Sequence, residues 1–146
     1  MLRVITLLTL TAVLIAPTVA QVSPATGDEA STAAAASSVV EIGRRLTEQF
    51  YQGKLEEIHH AFSTEMKEEF PLERLTAVRN QVLEQLGPEV EVLDEQVREQ
   101  AEYMVYRRLV TFEKRPTGKF EVIWTVREDD WVAGFFIRDA SAEPSN

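Results

Sequence analysis

The sequence predicts an α+β domain in which N-terminal helices pack on one face of a curved antiparallel sheet of about four strands. Two observations lead to this prediction. Before Pro88, apolar residues recur every three or four positions, as in an amphipathic helix, whereas after Pro88 they alternate as in a strand. With 146 residues, the chain is long enough for one such domain and too short to expect two.

The first predicted helix starts at Ser37 or Ser38, because either side chain can cap the first turn. Its apolar face consists of Val39, Ile42, Leu46 and Phe50. Gly53 is expected to end this helix, since glycine readily adopts the left-handed conformation found just after helix ends.

Three further helical segments are predicted before the sheet. A short one carries Leu55, Ile58 and Phe62 on one side, and Ser63 is placed to cap a further turn. Pro71 suits the first position of a longer helix. Its stop signal is the pair Gly87-Pro88.

The predicted strands differ in the strength of their pattern. The first contains Val90, Val92 and Val97 in a polar stretch, so its pattern is the weakest. The other three have clearer strand patterns: Tyr103 to Phe112, Phe120 to Val126, and Trp131 to Ile137.

The segment Arg115-Pro116-Thr117-Gly118 suits a three-residue hairpin loop with a left-handed glycine. The resulting register places Arg108 opposite Val126. It also directs Arg108 to the inner face of the sheet, together with Val110, Phe112, Val122, Trp124 and Val126. A slip of one residue would direct Arg107 inward instead.

The N-terminus has the order of a secretory signal peptide. Arg3 is followed by an uncharged stretch over residues 4–16, then by Pro17 and small residues up to Ala20. We expect cleavage after Ala20, with Ala25 as the second choice and an uncleaved membrane anchor as the alternative. The cleaved protein is predicted to be secreted or periplasmic, with no membrane association.

The predicted domain organisation follows from changes in composition. Residues 1–20 form the signal peptide, and residues 21–36 form a flexible linker of small and polar residues. The single α+β domain spans residues 37–140, and residues 141–146 form a disordered tail.

Charge and cysteine content exclude several classes of function. The 24 acidic residues outnumber the 15 basic ones, and the net charge of −9 argues against nucleic-acid binding. The absence of cysteine excludes disulfides, thiol catalysis, thiolate metal sites and lipid attachment to an N-terminal cysteine. No cofactor motif is found, so no cofactor is predicted.

A set of packing motifs is spread between residues 39 and 140: Gly53-Lys54-Leu55-Glu56, Phe62-Ser63, Met66-Lys67, Pro71-Leu72, Leu86-Gly87-Pro88 and Val132-Ala133-Gly134-Phe135-Phe136-Ile137. Together they resemble a bacterial domain of unknown function, number 3887 in its series. That family is similar to the nuclear transport factor 2-like (cystatin-like) superfamily, whose helices close over a curved antiparallel sheet to form a cone. The resemblance implies a free-standing secreted module.

Two polar clusters were considered as metal sites. Glu56 and His60 share a helix face beside His59, but two ligands are incomplete, so an ordinary polar helix face is favoured. The acidic segment 127–130 lacks the alternating ligands of a calcium loop and indicates a hairpin turn. No metal site is predicted.

Arg108 is the main candidate for ligand binding. An arginine on the inner sheet face is costly unless it is paired, so it either meets a carboxylate, reaches solvent at the strand end, or anchors an anionic ligand at the mouth of the cone. Tyr106, Trp124 and Phe136 are candidates to line the same pocket, with core packing as the alternative. No catalytic residue is assigned.

Three functions remain open. The leading hypothesis is a non-enzymatic secreted module that binds a small molecule or a protein partner. The second is an acid–base enzyme, an isomerase, dehydratase or hydrolase-associated protein, that uses Arg108, Tyr106 or a helix carboxylate in the cone pocket. The third is an assembly protein that forms a homodimer through the outer sheet face, which carries Tyr103, Val105, Leu109 and Ile123.

Overall fold

The computed structural model describes residues 26–141. Within this range four helices precede four strands, which confirms the α+β prediction. The elements are α1 (Thr26–Gln52), α2 (Leu55–His60), α3 (Thr64–Glu69), α4 (Leu72–Gln85), β1 (Glu89–Gln100), β2 (Tyr103–Phe112), β3 (Arg115–Arg127) and β4 (Val132–Asp139). The predicted signal peptide and residues 142–146 of the predicted tail lie outside the described residues. No helix among residues 26–141 is both long and apolar enough to span a membrane.

The four strands form one antiparallel sheet in the order β1-β2-β3-β4. Alternate residues of β2 and β3 point to the inner face, where α1 and the shorter helices cover them. The core combines the predicted helix stripe with this face. Its largest fully buried side chains are Trp124, Tyr106, Phe50, Phe62, Phe112, Leu46, Ile58 and Leu75.

The predicted register of the central hairpin is wrong by four residues. Arg108 pairs with Val122 rather than Val126, and the turn consists of Glu113 and Lys114. The predicted loop over 115–118 is therefore the start of β3. Contacts with the end of α4 hold this turn, since the Lys114 backbone N–H donates to the Leu86 carbonyl at 2.9 Å. Because four is an even number, the predicted inner face is nevertheless confirmed.

Helix α1 starts earlier than predicted. Residues 26–36 are helical, which corrects the predicted flexible linker over 21–36, and Ser37 lies inside the helix with its hydroxyl donating to the Ala33 carbonyl at 3.0 Å. The alanines over 33–36 explain the difference, because alanine has the highest helix propensity. Buried side chains begin only at Val39, so the packed domain starts near the predicted boundary.

The predicted helix ends are largely confirmed. Gly53 follows α1 with φ of +80°, and Ser63 caps α3 by accepting a hydrogen bond from the Met66 N–H at 3.2 Å. Pro71 is the N-cap of α4 rather than its first residue. Arg79 of α4 binds the last carbonyls of α1 and thereby joins the two helices.

Candidate functional site

A second row of α1 residues brings polar groups to the inner sheet face. This row runs through Gly43, Thr47 and Tyr51, four residues apart and therefore on one side of the helix. Gly43 permits close packing, because a Cβ atom there would lie 2.2 Å from the Tyr106 ring. One turn later, the Thr47 hydroxyl accepts a hydrogen bond from the Trp124 indole N–H at 2.9 Å. The last turn of α1 then faces the β1–β2 half of the sheet.

Glu95 of β1 connects α1 to β2. Its carboxylate accepts hydrogen bonds from the Tyr106 hydroxyl, from the Arg44 guanidinium at 2.5–3.1 Å and from Arg108 Nη1 at 3.3 Å. The hydrogen bond from Arg44 lowers the pKa of Glu95 to about 2, against the opposing effect of burial. Glu95 is therefore a permanently ionised centre of the cluster at neutral pH.

Arg108 is held between two carboxylates. Its Nε donates to Glu89 Oε1 at 2.9 Å, Nη2 contacts the same oxygen, and Nη1 reaches Glu95. Burial lowers the pKa of Arg108, but hydrogen bonds with Glu89 and Tyr106 outweigh it and raise the pKa above its ordinary value. The guanidinium is thus paired, which is the structural alternative considered from the sequence.

Two polar atoms beside Arg108 have no hydrogen-bond partner among residues 26–141. They are the second carboxylate oxygen of Glu89, Oε2, and the hydroxyl of Tyr51, and both atoms are buried. Burial, followed by the neighbouring Glu89 carboxylate, raises the pKa of Tyr51 well above its ordinary value. Since unpaired buried polar atoms are uncommon, the pair indicates a place where a further molecule completes the hydrogen bonds.

The two unpaired atoms line a groove of about 520 Å³ between the C-terminal half of α1 and the start of β1. The groove is open to solvent along one side, and its walls are Arg44, Thr47, Glu48, Tyr51, Gln52, Pro88, Glu89 and Arg108. Its volume falls within the range of small-molecule sites.

The four predicted pocket residues are only partly brought together. Arg108 lines the groove, and Tyr106 lies directly beneath it with its hydroxyl on Glu95. Trp124 is fully buried and stacks on Phe135 at 4.1 Å between ring centroids, so it belongs to the core. Phe136 is a correction: it pairs with Ile123 on the outer face and is 62% exposed, because residue 135 already points inward and strand side chains alternate.

The polar clusters weighed as metal sites lie apart from the groove. Residues 127–130 form the expected turn, in which the Asp130 N–H donates to the Arg127 carbonyl at 3.0 Å. His60 is exposed, and the His59 ring packs near Phe62. In the part of the chain that the structure describes, no group of three or more His, Asp or Glu side chains is arranged to hold a metal ion.

Sequence reasoning missed most of the groove: Thr47, Tyr51, Glu89 and Glu95. A signal for the helical part was present, because Gly43, Thr47 and Tyr51 repeat every four residues beside the apolar stripe. The two glutamates had no comparable signal. They lie in a polar strand with several other carboxylates, and only the sheet pairing brings them to Arg108.

The comparisons with known proteins give a family and no named relative. The model of the family described as "Protein of unknown function (DUF3887)" matches residues 44–135. This span covers more than half of the chain and contains all the residues that line the groove. Neither the curated proteins nor the solved structures gave a match.

Proposed function

The chain belongs to the DUF3887 family, whose description names no activity, and we propose that it is a non-enzymatic module that binds a small molecule in the groove between α1 and β1. The observation that carries the proposal is the buried pair of unpaired polar atoms, Glu89 Oε2 and the Tyr51 hydroxyl, in the wall of this groove. Ligand sites typically combine an apolar wall with a few such convergent polar groups.

The ionisation states of the cluster favour binding over acid–base catalysis. An efficient general acid or base has a pKa near the working pH. Here the pKa of Glu95 is lowered to about 2, while burial and the hydrogen bond to Glu95 raise the pKa of Tyr106 to about 12. The pKa of Arg108 is raised as well. These groups keep their charges through the neutral range, which suits orientation of a ligand rather than proton transfer.

A thermal-shift screen of small molecules tests the proposal. We expect ligands that raise the Tm of the wild type, because a compound that binds the folded state stabilises it. Gln52 is exposed in the groove wall, so Gln52→Trp is expected to fill the groove and abolish the shift. Arg45→Trp, at an exposed position of the same helix outside the groove, is the matched control and should retain it. Shifts that survive Gln52→Trp would place the binding elsewhere and refute the proposal.

One observation favours a second candidate, a homodimer formed through the outer sheet face. Phe136 is 62% exposed on that face beside the half-buried Ile123. Burying such an aromatic side chain is a common feature of interface cores. We expect a dimeric mass by light scattering at micromolar concentration and a monomeric mass for Phe136→Asp. A monomeric wild type contradicts this candidate.

Export and the finer fold assignment complete the proposal. The order of residues 1–20 supports secretion, and we expect the N-terminal sequence of the exported protein to begin at Gln21. Recovery of the chain with Met1 intact from the cytoplasm would contradict it. Helices on one face of an antiparallel sheet are compatible with the cone of the nuclear transport factor 2-like superfamily, and an experimental structure superposed on its members is the test.

A further inference from the structure

We propose that the groove selects a small organic cation, a ligand whose ammonium group donates hydrogen bonds to Glu89 Oε2. This inference rests on the proposed function, because it names the class of molecule that the same groove binds. Its starting point is the Glu89 side chain, which is only 9% exposed. Oε1 accepts from Arg108, whereas Oε2 has no partner within residues 26–141.

A buried carboxylate oxygen without a donor is unfavourable, because it has lost its water without gaining a replacement. A carboxylate only accepts hydrogen bonds, so the missing group must be a donor. An ammonium group is the strongest candidate, since charge-assisted hydrogen bonds are about twice as strong as neutral ones.

The Tyr51 hydroxyl adds a second contact of the same kind. It is buried beside Glu89 and is also unpaired among the described residues. A neutral hydroxyl both donates and accepts, and an ammonium group has three donors. One ammonium can therefore reach the Glu89 carboxylate and the Tyr51 oxygen at the same time, with the rest of the ligand along the groove.

The charges of the groove oppose an anionic ligand. Its two cations are already engaged: Arg108 holds Glu89 and Glu95, and Arg44 holds Glu95 through both carboxylate oxygens. With the exposed Glu48, these groups comprise two guanidinium groups and three carboxylates, a net charge of 2 − 3 = −1. An added monocation neutralises this charge, whereas an anion finds no unpaired cation there.

Three probes with one carbon skeleton separate the possibilities: benzylamine, benzyl alcohol and benzoate. Binding to the full-length protein is followed by two-dimensional amide NMR at neutral pH. We expect protonated benzylamine to shift the resonances of Thr47, Gln52 and Glu89, benzyl alcohol to bind more weakly, and benzoate to leave these resonances unchanged. The same experiment reports on folding, so a variant that has lost its structure is recognised directly.

Glu89→Gln is expected to weaken benzylamine binding by about tenfold or more, because a charge-assisted hydrogen bond is replaced by a neutral one. Tyr51→Phe, which removes only the hydroxyl, should weaken it by a smaller factor. The matched control is Glu41→Gln, which removes the same charge from an exposed position of α1 outside the groove and should leave the affinity unchanged.

The outcomes distinguish this inference from the proposed function. Benzoate that binds the groove as tightly as benzylamine overturns the cation preference but leaves ligand binding in the groove intact. Benzylamine affinity that is equal in the wild type and in a folded Glu89→Gln also overturns it. If none of the three probes binds, the inference is wrong, and the broader thermal-shift screen decides the proposed function separately.

Discussion

Arg107 and Arg108 are neighbours in β2, yet they form two different ion-pair clusters on opposite faces of the sheet. On the outer face, Arg107 and Arg138 bind the two oxygens of Glu121, which is only 5% exposed. On the inner face, Arg108 binds one oxygen of Glu89 and shares Glu95 with Arg44. The outer carboxylate is fully paired, whereas the inner cluster retains an unpaired carboxylate oxygen.

The difference shows how paired charges become a binding site. Two cations around one carboxylate leave it no capacity for a ligand, so the outer cluster is structural, and its unpaired atom, Arg107 Nε, lies on an open sheet face rather than in a groove. The inner cluster has more carboxylates than cations and lies below a groove. Excess acceptors and access together, rather than the presence of an arginine, indicate the functional face.

The largest expected effect compares the two arginines directly. Arg108→Met should lower the free energy of unfolding by about 3 kcal/mol, because it leaves Glu89 buried without its cation. Arg107→Met should cost only about 1 kcal/mol, since Glu121 keeps Arg138 and Arg107 is 31% exposed. Urea denaturation of both variants measures the difference. Equal losses would show that the two clusters contribute alike.

A smaller effect is expected where α1 approaches the inner cluster. Replacing a helical glycine by alanine usually stabilises a helix by about 1 kcal/mol, but Gly43→Ala should lower the free energy of unfolding by about 2 kcal/mol. The reason is the fully buried ring of Tyr106, which lies 2.2 Å from the new Cβ and has little room to move.

Thermal or urea unfolding measures this change, and Tyr106→Leu serves as the background for a double-mutant cycle. Without the ring, Gly43→Ala should cost much less, giving a coupling of about 1 kcal/mol or more. Additive effects of the two substitutions would contradict the steric explanation.

Acid should weaken the inner cluster through Glu95. Its folded-state pKa of about 2 lies below the ordinary value of 4.5, so its stabilising contribution is complete above pH 4.5 and is lost as the pH falls towards 2. Glu95→Gln should be less stable than the wild type by about 1 kcal/mol at pH 7, after allowance for solvent screening. The gap should close at low pH. Urea unfolding from pH 7 to pH 2 measures it, and a constant gap would exclude this linkage.

The smallest effect is expected at the edge of the inner cluster. The Arg44 side chain is 58% exposed, so Arg44→Ala should cost less than about 1 kcal/mol, and this cost should shrink in high salt. The larger cost of Arg108→Met should change little, because that pair is mostly buried. Unfolding at low and high sodium chloride compares them. A salt-independent cost for Arg44→Ala would indicate a role in packing instead.

The fold was predictable where local periodicity carries the information. The inner face of β2 and β3 and the apolar stripe of α1 follow directly from spacings of two and of three or four residues. The start of α1 escaped prediction because the alanines over 33–36 form a helix without burying an apolar stripe. The turn at Glu113 and Lys114 escaped because the end of α4 determines its position.

The candidate site was predictable only at Arg108. An arginine among inward-facing apolar residues stands out in the sequence, but its partners do not. Glu89 and Glu95 are distinguished from the other carboxylates of β1 by their sheet pairing and by contacts across the fold. Such long-range selection leaves no pattern in a single sequence.

The even register offset in the central hairpin has a consequence for folding. Pairing Arg108 with Val122 or with Val126 directs the same side chains to the core, so hydrophobic collapse alone does not discriminate between the two arrangements. Discrimination depends on the Leu86 and Pro88 carbonyls, which receive the backbone N–H groups of Lys114 and Glu113. The C-terminal end of α4 thus acts as a gauge that sets the length of the hairpin, and correct strand alignment requires that helix to be in place.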